Sequence, residues 1–353
     1  LMFDYQVVTP VQIFNGLKEM ETSKTPYALT AVMLAMAIGA YVLGKVVLGG
    51  RGYAMYAKAS VQSNVKTLQG WKAWSATAVF VLICAIAVLP HLSVILVSFS
   101  EANTWYGTVL PTNFTLVHYK DALGHDLAIG SIRNSLIYST CAVGVDIVIG
   151  LLIGYVIVRT KALGRNLLDA MSMLPLAVPG LVMAFGYVAM SLRWPFRAND
   201  PLAGVIDILG SDPNPIPLLI LAYAVRRMPY VVRSTVAGLQ QTSPELEEAA
   251  LNLGAGKLRA VRTVVLPLIM ANIVAGALLA FSFAMLEVSD SLILAQREEH
   301  FPITKAIYVL FERLGDGKYI ASAMGVWGMA LLAVTLVGAG AMIGKKMGAI
   351  FRV

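Results

Sequence analysis

The chain has 353 residues, of which 58% are hydrophobic and only 13% charged, and its formal net charge is +7. Soluble domains carry about 25% charge, so this composition lacks the polar surface to cover a globule and excludes a soluble enzyme or regulator. The excess cations gather in short connections between apolar stretches, which is the positive-inside pattern rather than a nucleic-acid-binding face.

Taken in chain order, residues 1–27 have no basic region followed by an apolar stretch, so no cleavable signal is expected. Seven stretches read as membrane spans, at roughly 28–48, 75–99, 132–158, 167–190, 216–236, 265–286 and 319–343. The expected fold class is therefore all-α, a polytopic transmembrane helical bundle. Four basic groups share one side if the spans alternate: Arg51, Lys58, Lys66 and Lys72; Arg159, Lys161 and Arg165; Lys257, Arg259 and Arg262; and Lys345, Lys346 and Arg352. That side is the cytoplasm. The connections 100–131, 191–215 and 287–318 then face outward.

The two ends of the chain echo each other. Thr9-Pro10-Val11 leads an amphipathic run through Phe14 and Leu17, then Tyr27, an apolar span and Gly44-Lys45. Phe301-Pro302-Ile303 leads a run through Ile307 and Leu310, then Tyr319, an apolar span and Gly344-Lys345. Order and spacing nearly match, as in an internal repeat, although an amphipathic run before a span is also common in itself. The expected organisation is a leading span at 1–50, the tail of a preceding homologous six-span half. A cytoplasmic linker follows at 51–73, then a six-span domain at 74–353.

Cys84 and Cys141 fall inside apolar stretches and read as small hydrophobes. His91, His118, His125 and His300 have no ligand spacing, so no metal site is expected and they read as solvated or interfacial. Charges inside spans are costly and mark function. Glu287 and Asp290 share a helical face and are candidates to line a pathway favouring a cation, or to contact another span. Asn134 and Asp146 are weaker candidates that interhelical packing explains equally well. Arg226, Arg227 and Arg233 read mainly as snorkelling to headgroups, with a gate as the alternative. Pro175, Pro179 and Gly180 predict a kink or unwinding in the fourth span, a gate element.

Between the fifth and sixth spans lies TSPELEEAALNLGAGKLRAVRTVVLPLI, residues 242–269. Ser243 suits an N-cap and Pro244 the first helical position. Glu245, Glu247 and Glu248 complement the helix dipole, and Leu246, Ala249, Ala250 and Leu253 share one face. That small apolar face suits a groove on a partner protein. A helix lying on anionic lipid would not carry three glutamates.

Glu248-Ala249-Ala250, then Gly254, then Val264 and Leu266-Pro267 resemble the EAA loop of type I ABC importer permeases, with Val264 where that pattern has Ile. The resemblance covers roughly 74–353, with the loop at 242–267, and implies the type I importer permease fold. It implies that Glu248, Ala249, Ala250, Gly254, Leu266 and Pro267 form the element coupling the spans to a separate ATPase. The implied partners are ABC ATPase subunits, a second permease half, an extracytoplasmic solute-binding protein and membrane lipid, with no nucleic acid. The implied location is the bacterial plasma (inner) membrane. The chain has no phosphate loop: the nearest string, Ala339 to Lys346, lacks the first Gly and the Ser or Thr. No catalytic residue and no cofactor are therefore expected on this chain, with ATP and magnesium on the partner. Leu286 to Ile293 resembles the ferric-iron branch of the family, which implies ferric iron as substrate. Thiamine, polyamine, phosphonate, molybdate and sugar importers are the alternatives within the family, and an ion-coupled secondary transporter is the alternative outside it.

Overall fold

A computed structural model describes residues 7–16, 23–48, 68–105, 107–197, 199–208, 213–313 and 315–350. The basic residues Arg51, Lys58, Lys66 and Arg352, the side chains of Lys345 and Lys346, most of the expected linker and Leu17 of the repeat lie outside what is described.

Helices run α1 (Thr9–Asn15), α2 (Thr25–Leu48), α3 (Trp71–Phe99), α4 (Val117–Gly124), α5 (Asp126–Arg159), α6 (Arg165–Ala177) and α7 (Gly180–Ser191). They continue as α8 (Ile216–Gln241), α9 (Glu245–Asn252), α10 (Lys257–Ala260), α11 (Leu266–Met285), α12 (Ser289–Leu294), α13 (Ile303–Glu312) and α14 (Gly317–Ile350). Among the described residues, five helical stretches are long and apolar enough to cross a membrane: Thr25–Gly44, Trp71–Phe99, Asp126–Arg159, Lys257–Met285 and Gly317–Val337. The expected fourth span is a pair, α6 and α7, bent by 105°. The break falls between Ala177 and Gly180, where Pro179 cannot supply a backbone donor. The expected fifth span is α8, long enough at 26 residues but carrying Arg226, Arg227 and Arg233, so apolarity alone does not mark it.

Helix α8 tolerates those charges because it is the centre of the bundle, packed between α5 and α11. Its approach to α5 is through Gly150 and Gly154. A Cβ at either would lie 2.8 Å from Val231 Cγ1 or 2.7 Å from Thr235 Cγ2. Small residues four apart let two backbones close up where lipid gives no hydrophobic drive to associate. The main core runs on through Tyr138, Tyr223, Phe185, Leu218 and Leu219 toward the outer end. By contrast α3 is exposed on every side over its first turns, including Val79, Phe80, Leu82 and Ile83. An all-round apolar helix is stable there only against lipid or another protein.

The connections segregate to two ends. At one, the Arg159 guanidinium donates to the Thr242 carbonyl at 2.8 Å, joining the ends of α5 and α8. At the other, Asn134 donates to the carbonyls of Glu299 (2.8 Å) and Phe301 (3.2 Å), and His300 bonds the Pro213 carbonyl at 3.2 Å. The Asn103 amide donates to the Tyr319 hydroxyl at 2.9 Å in the same region. The three connections expected outside thus gather together, away from the basic ones.

Candidate functional site

The segment 242–267 folds as its residues dictate. Ser243 Oγ accepts the Glu245 amide at 3.3 Å, and the Pro244 carbonyl takes both Glu247 and Glu248 amides. At the far end the Ala255 amide reaches the Ala250 carbonyl (3.1 Å) and the Gly254 amide the Leu251 carbonyl (2.9 Å). This is a Schellman end, with Gly254 at φ +87°, a conformation L side chains resist. After α10 the helix widens into one π turn, Val261–Val265. Pro267 has no amide for the Thr263 carbonyl, which accounts for the wide turn just before it.

Helix α9 is clamped on one face and open on the other. Glu247, buried, accepts the Tyr155 hydroxyl and pairs with Arg159 at 3.6 Å, both on α5. Glu248 and Ala249 are exposed and Ala250 is half-buried. Leu246 is 49% and Leu253 90% exposed, with Leu258 of α10 at 83%. An exposed apolar set beside a tethered carboxylate is a surface held in place and left uncovered within the chain. Tyr155, Arg159 and the inward role of Glu247 were missed in the sequence. Glu247 is one of three glutamates in the same turn, and no local pattern sets it apart from Glu245 and Glu248.

The second cluster lies where three helix irregularities meet. Glu287, in the break between α11 and α12, pairs with Arg227 and, at 3.2 Å, with Arg226. Asp290 of α12 lies 3.4 Å from Arg226. Asp290 is fully buried, and Glu287 and Arg226 are buried with it. Pro229 lies inside α8 one turn on, and Gly180 opens α7 against the cluster: a Cβ there would overlap the Arg226 guanidinium and the Ser289 side chain. Hydroxyls stitch the α11–α12 break in place, Ser291 and Thr304 donating to the Glu287 carbonyl (2.5 and 2.6 Å) and Ser291 bonding Tyr223 at 2.6 Å. Two arginines against two carboxylates make a neutral set, so Glu287 and Asp290 present no open acidic surface. Snorkelling does not describe Arg226 or Arg227, which point into protein; only Arg233 is exposed, paired with Asp169 of α6 at 3.1 Å. The signal was there to read: two cations in one span and two anions beside another need partners.

The remaining candidates separate. Asn134 sits at the outer end and gives both amide protons to backbone carbonyls. Asp146 is buried on α5, and Pro175 lies within α6, buried, two residues before the break. Of the histidines, His118 is neither solvated nor interfacial: it is buried, stacked 5.0 Å from Tyr319 and bonded to the Ser100 carbonyl. Among the described residues no group of three metal-ligating side chains exists.

Comparison with known proteins agrees with this architecture. A probable ABC transporter permease protein, y4fN, of Sinorhizobium fredii is 30% identical over 245 residues, covering 68% of this chain and 42% of the relative. The ferric transport system permease protein FbpB of Actinobacillus pleuropneumoniae is 26% identical over 215 residues, covering 60% of this chain and 29% of the relative. The chain thus spans less than half the length of these curated relatives. Its fold matches that of a bacterial ABC transporter involved in import of the acidic polysaccharide alginate, with TM-score 0.58 and 18% identity over 78% of this chain and 96% of that one. The family described as "Binding-protein-dependent transport system inner membrane component" matches residues 146–347, more than half the sequence, and the chain belongs to that family.

Proposed function

We propose that this multi-pass inner-membrane chain is the permease part of an ATP-driven, binding-protein-dependent importer, forming a substrate pathway and coupling it to an ATPase on a separate chain. One observation carries the reading. Helix α9 is braced against α5 through Glu247 while Leu246, Ala249 and Leu253 stand uncovered at the basic end of the bundle. A force applied to that face passes through Tyr155 and Arg159 into α5 and α8 rather than bending a loop. ATP and magnesium belong to the partner, and a solute-binding protein delivers substrate at the opposite end.

Residues 1–50 are, in this reading, the tail of a preceding permease half. Each of α1–α2 and α13–α14 is a short amphipathic helix followed by a long one, and two of the curated relatives, y4fN and FbpB, are more than twice as long as the segments they match. The two pairs dock differently, α1–α2 against α6 and α7, α13–α14 against α3, α5 and α11. That is the arrangement expected of corresponding elements from two halves around a shared pathway. Ferric iron as substrate is supported by one relative's name, while a similar fold serves an acidic polysaccharide. The acidic pair that favoured a cation is neutralised by Arg226 and Arg227. The same pairing ties up the carboxylates that an ion-coupled transporter would need as a relay, which favours the importer reading over that one.

The test is a cysteine at Ala249 in the native complex. Cross-linking to a nucleotide-hydrolysing subunit, with ATP-dependent yield, is the expected result. Substrate flux that persists after ATP is removed would sink the importer reading.

A further inference from the structure

The structure holds a cavity of ≈ 560 Å³ between α1 and the α12–α13 segment, with Asn15, Gln296, Lys305, Tyr308, Val309 and Glu312 in its wall. That volume is in the range of small-molecule sites. Its chemistry is set by one residue. Lys305 is 9% exposed, and its ammonium donates to the Leu292 carbonyl at 2.8 Å. An ammonium has three protons to give, and among the described residues this is the single hydrogen bond it makes and no ion pair joins it. The rings of Phe301 and Tyr308 lie 5.6 and 6.0 Å away. The carbonyl end of α12 and two ring faces offer partial charges only, so among the described residues nothing compensates this buried unit charge, a state that costs free energy until an anion arrives. Burial accordingly pushes the Lys305 amine below the usual lysine range, opposed by the charge of Glu312.

Glu312 does not fill that need. It stands seven residues further along α13, about 10 Å by helical rise, is exposed, and accepts the Tyr308 hydroxyl at 2.7 Å. The cavity is therefore positive within and carries its carboxylate at the exposed side. Its position fits a pathway in the fused-half reading. The cavity opens between α1 and α13, which in that reading are corresponding members of two permease halves. The acidic pair deeper in the bundle is already matched by arginines.

We infer that this cavity is the anion-receiving part of the substrate pathway, with Lys305 taking the charge of a small oxyanion such as sulfate or molybdate. The inference rests on the importer reading and adds the substrate class. A free metal cation is the wrong charge for it.

The test uses the whole native assembly with Cys84 and Cys141 changed to serine, both being exposed, and Val309→Cys as reporter on the cavity wall. Modification by an anionic methanethiosulfonate is expected to outrun that by its cationic counterpart by about tenfold, the size of effect a charged cleft gives. Lys305→Met should abolish the preference, Lys305→Arg should keep it and Glu312→Gln should leave it. Saturating sulfate or molybdate should slow the reaction, and chloride at equal ionic strength should not. Because Lys305→Met also removes the α12–α13 contact to the Leu292 carbonyl, sulfate protection is read with lysine in place as well. Equal rates for the two reagents, a preference surviving in Lys305→Met, or no protection by either oxyanion overturns the inference. The measurement needs neither ATP nor a binding protein, so its failure leaves the coupling reading standing, and failed coupling leaves this result intact.

Discussion

Glu287 illustrates how a single buried carboxylate holds several elements at once. Its side chain faces Arg226 and Arg227 of α8, and its carbonyl takes hydroxyls from Ser291 and Thr304. Glu287→Gln keeps the shape and removes the charge, leaving two arginines against Asp290 alone. Breaking a buried pair from one side costs about 3–5 kcal/mol. The expected outcome is a clear fall in thermal midpoint of the detergent-solubilised protein, read by fluorescence size exclusion; an unchanged midpoint means the cluster is better hydrated than its burial implies. Gly254 is a different case, since a side chain there meets open space and only its φ of +87° matters. Gly254→Val should cost about 1–2 kcal/mol of local order, with Gly254→Asn milder, because left-handed backbone penalises L residues and Asn least. Transport assayed in proteoliposomes should fall in that order, Val below Asn below Gly. Equal transport by all three would show that the α9 ending is not under this constraint.

At the scale of elements, two features invite separate tests. The open face of α9 is apolar and small, so Leu253→Asp should leave the bundle folded and remove association with the ATPase, measured by co-purification. Retained association would mean that the docking surface lies elsewhere. The α6–α7 break is held by contact and not by proline alone. Gly180→Leu would force a side chain into Arg226 and Ser289, whereas Gly186 has nothing within 4 Å of its Cβ position. Gly186→Ala should be tolerated, with a gain of up to about 1 kcal/mol from helix propensity, while Gly180→Leu should lower folded yield sharply. If both behave alike in a thermal-shift measurement, the close packing over the charge cluster is not what fixes the bend.

On the scale of the whole molecule, the bundle has one end tied by Arg159 to Thr242 and the other by Asn134, His300 and Tyr319. Between them, α3 is exposed over its first turns and packs on α14 only toward its end, and α1–α2 docks on a face distinct from that of its counterpart α13–α14. Apolar helix left uncovered to this extent is stable only against lipid or other protein. The fused-half proposal predicts that the native polypeptide carrying this sequence is much heavier than 37.8 kDa, the mass of these 353 residues. Intact-mass spectrometry decides it, and a species no heavier than that removes the fused arrangement.

What the sequence determined by itself was whatever depends on neighbours along the chain. Apolar runs of span length gave the helices, and the spacing of cations gave their sidedness. Ser243, three glutamates and Gly254 gave α9 with its start and its left-handed end, because capping is a matter of a few adjacent residues. Pro179 and Gly180 gave the broken span for the same reason. Tertiary structure alone decided which distant charges meet. Arg226 and Arg227 lie 60 or more residues from Glu287, and no local rule chooses between pairing across a bundle and reaching for lipid headgroups. The same holds for Glu247 on Tyr155 and Arg159, and for Lys305 beneath a cavity walled partly by α1. Local geometry is settled by short-range sterics and hydrogen bonds, whereas the fate of a buried charge depends on which helices pack beside it.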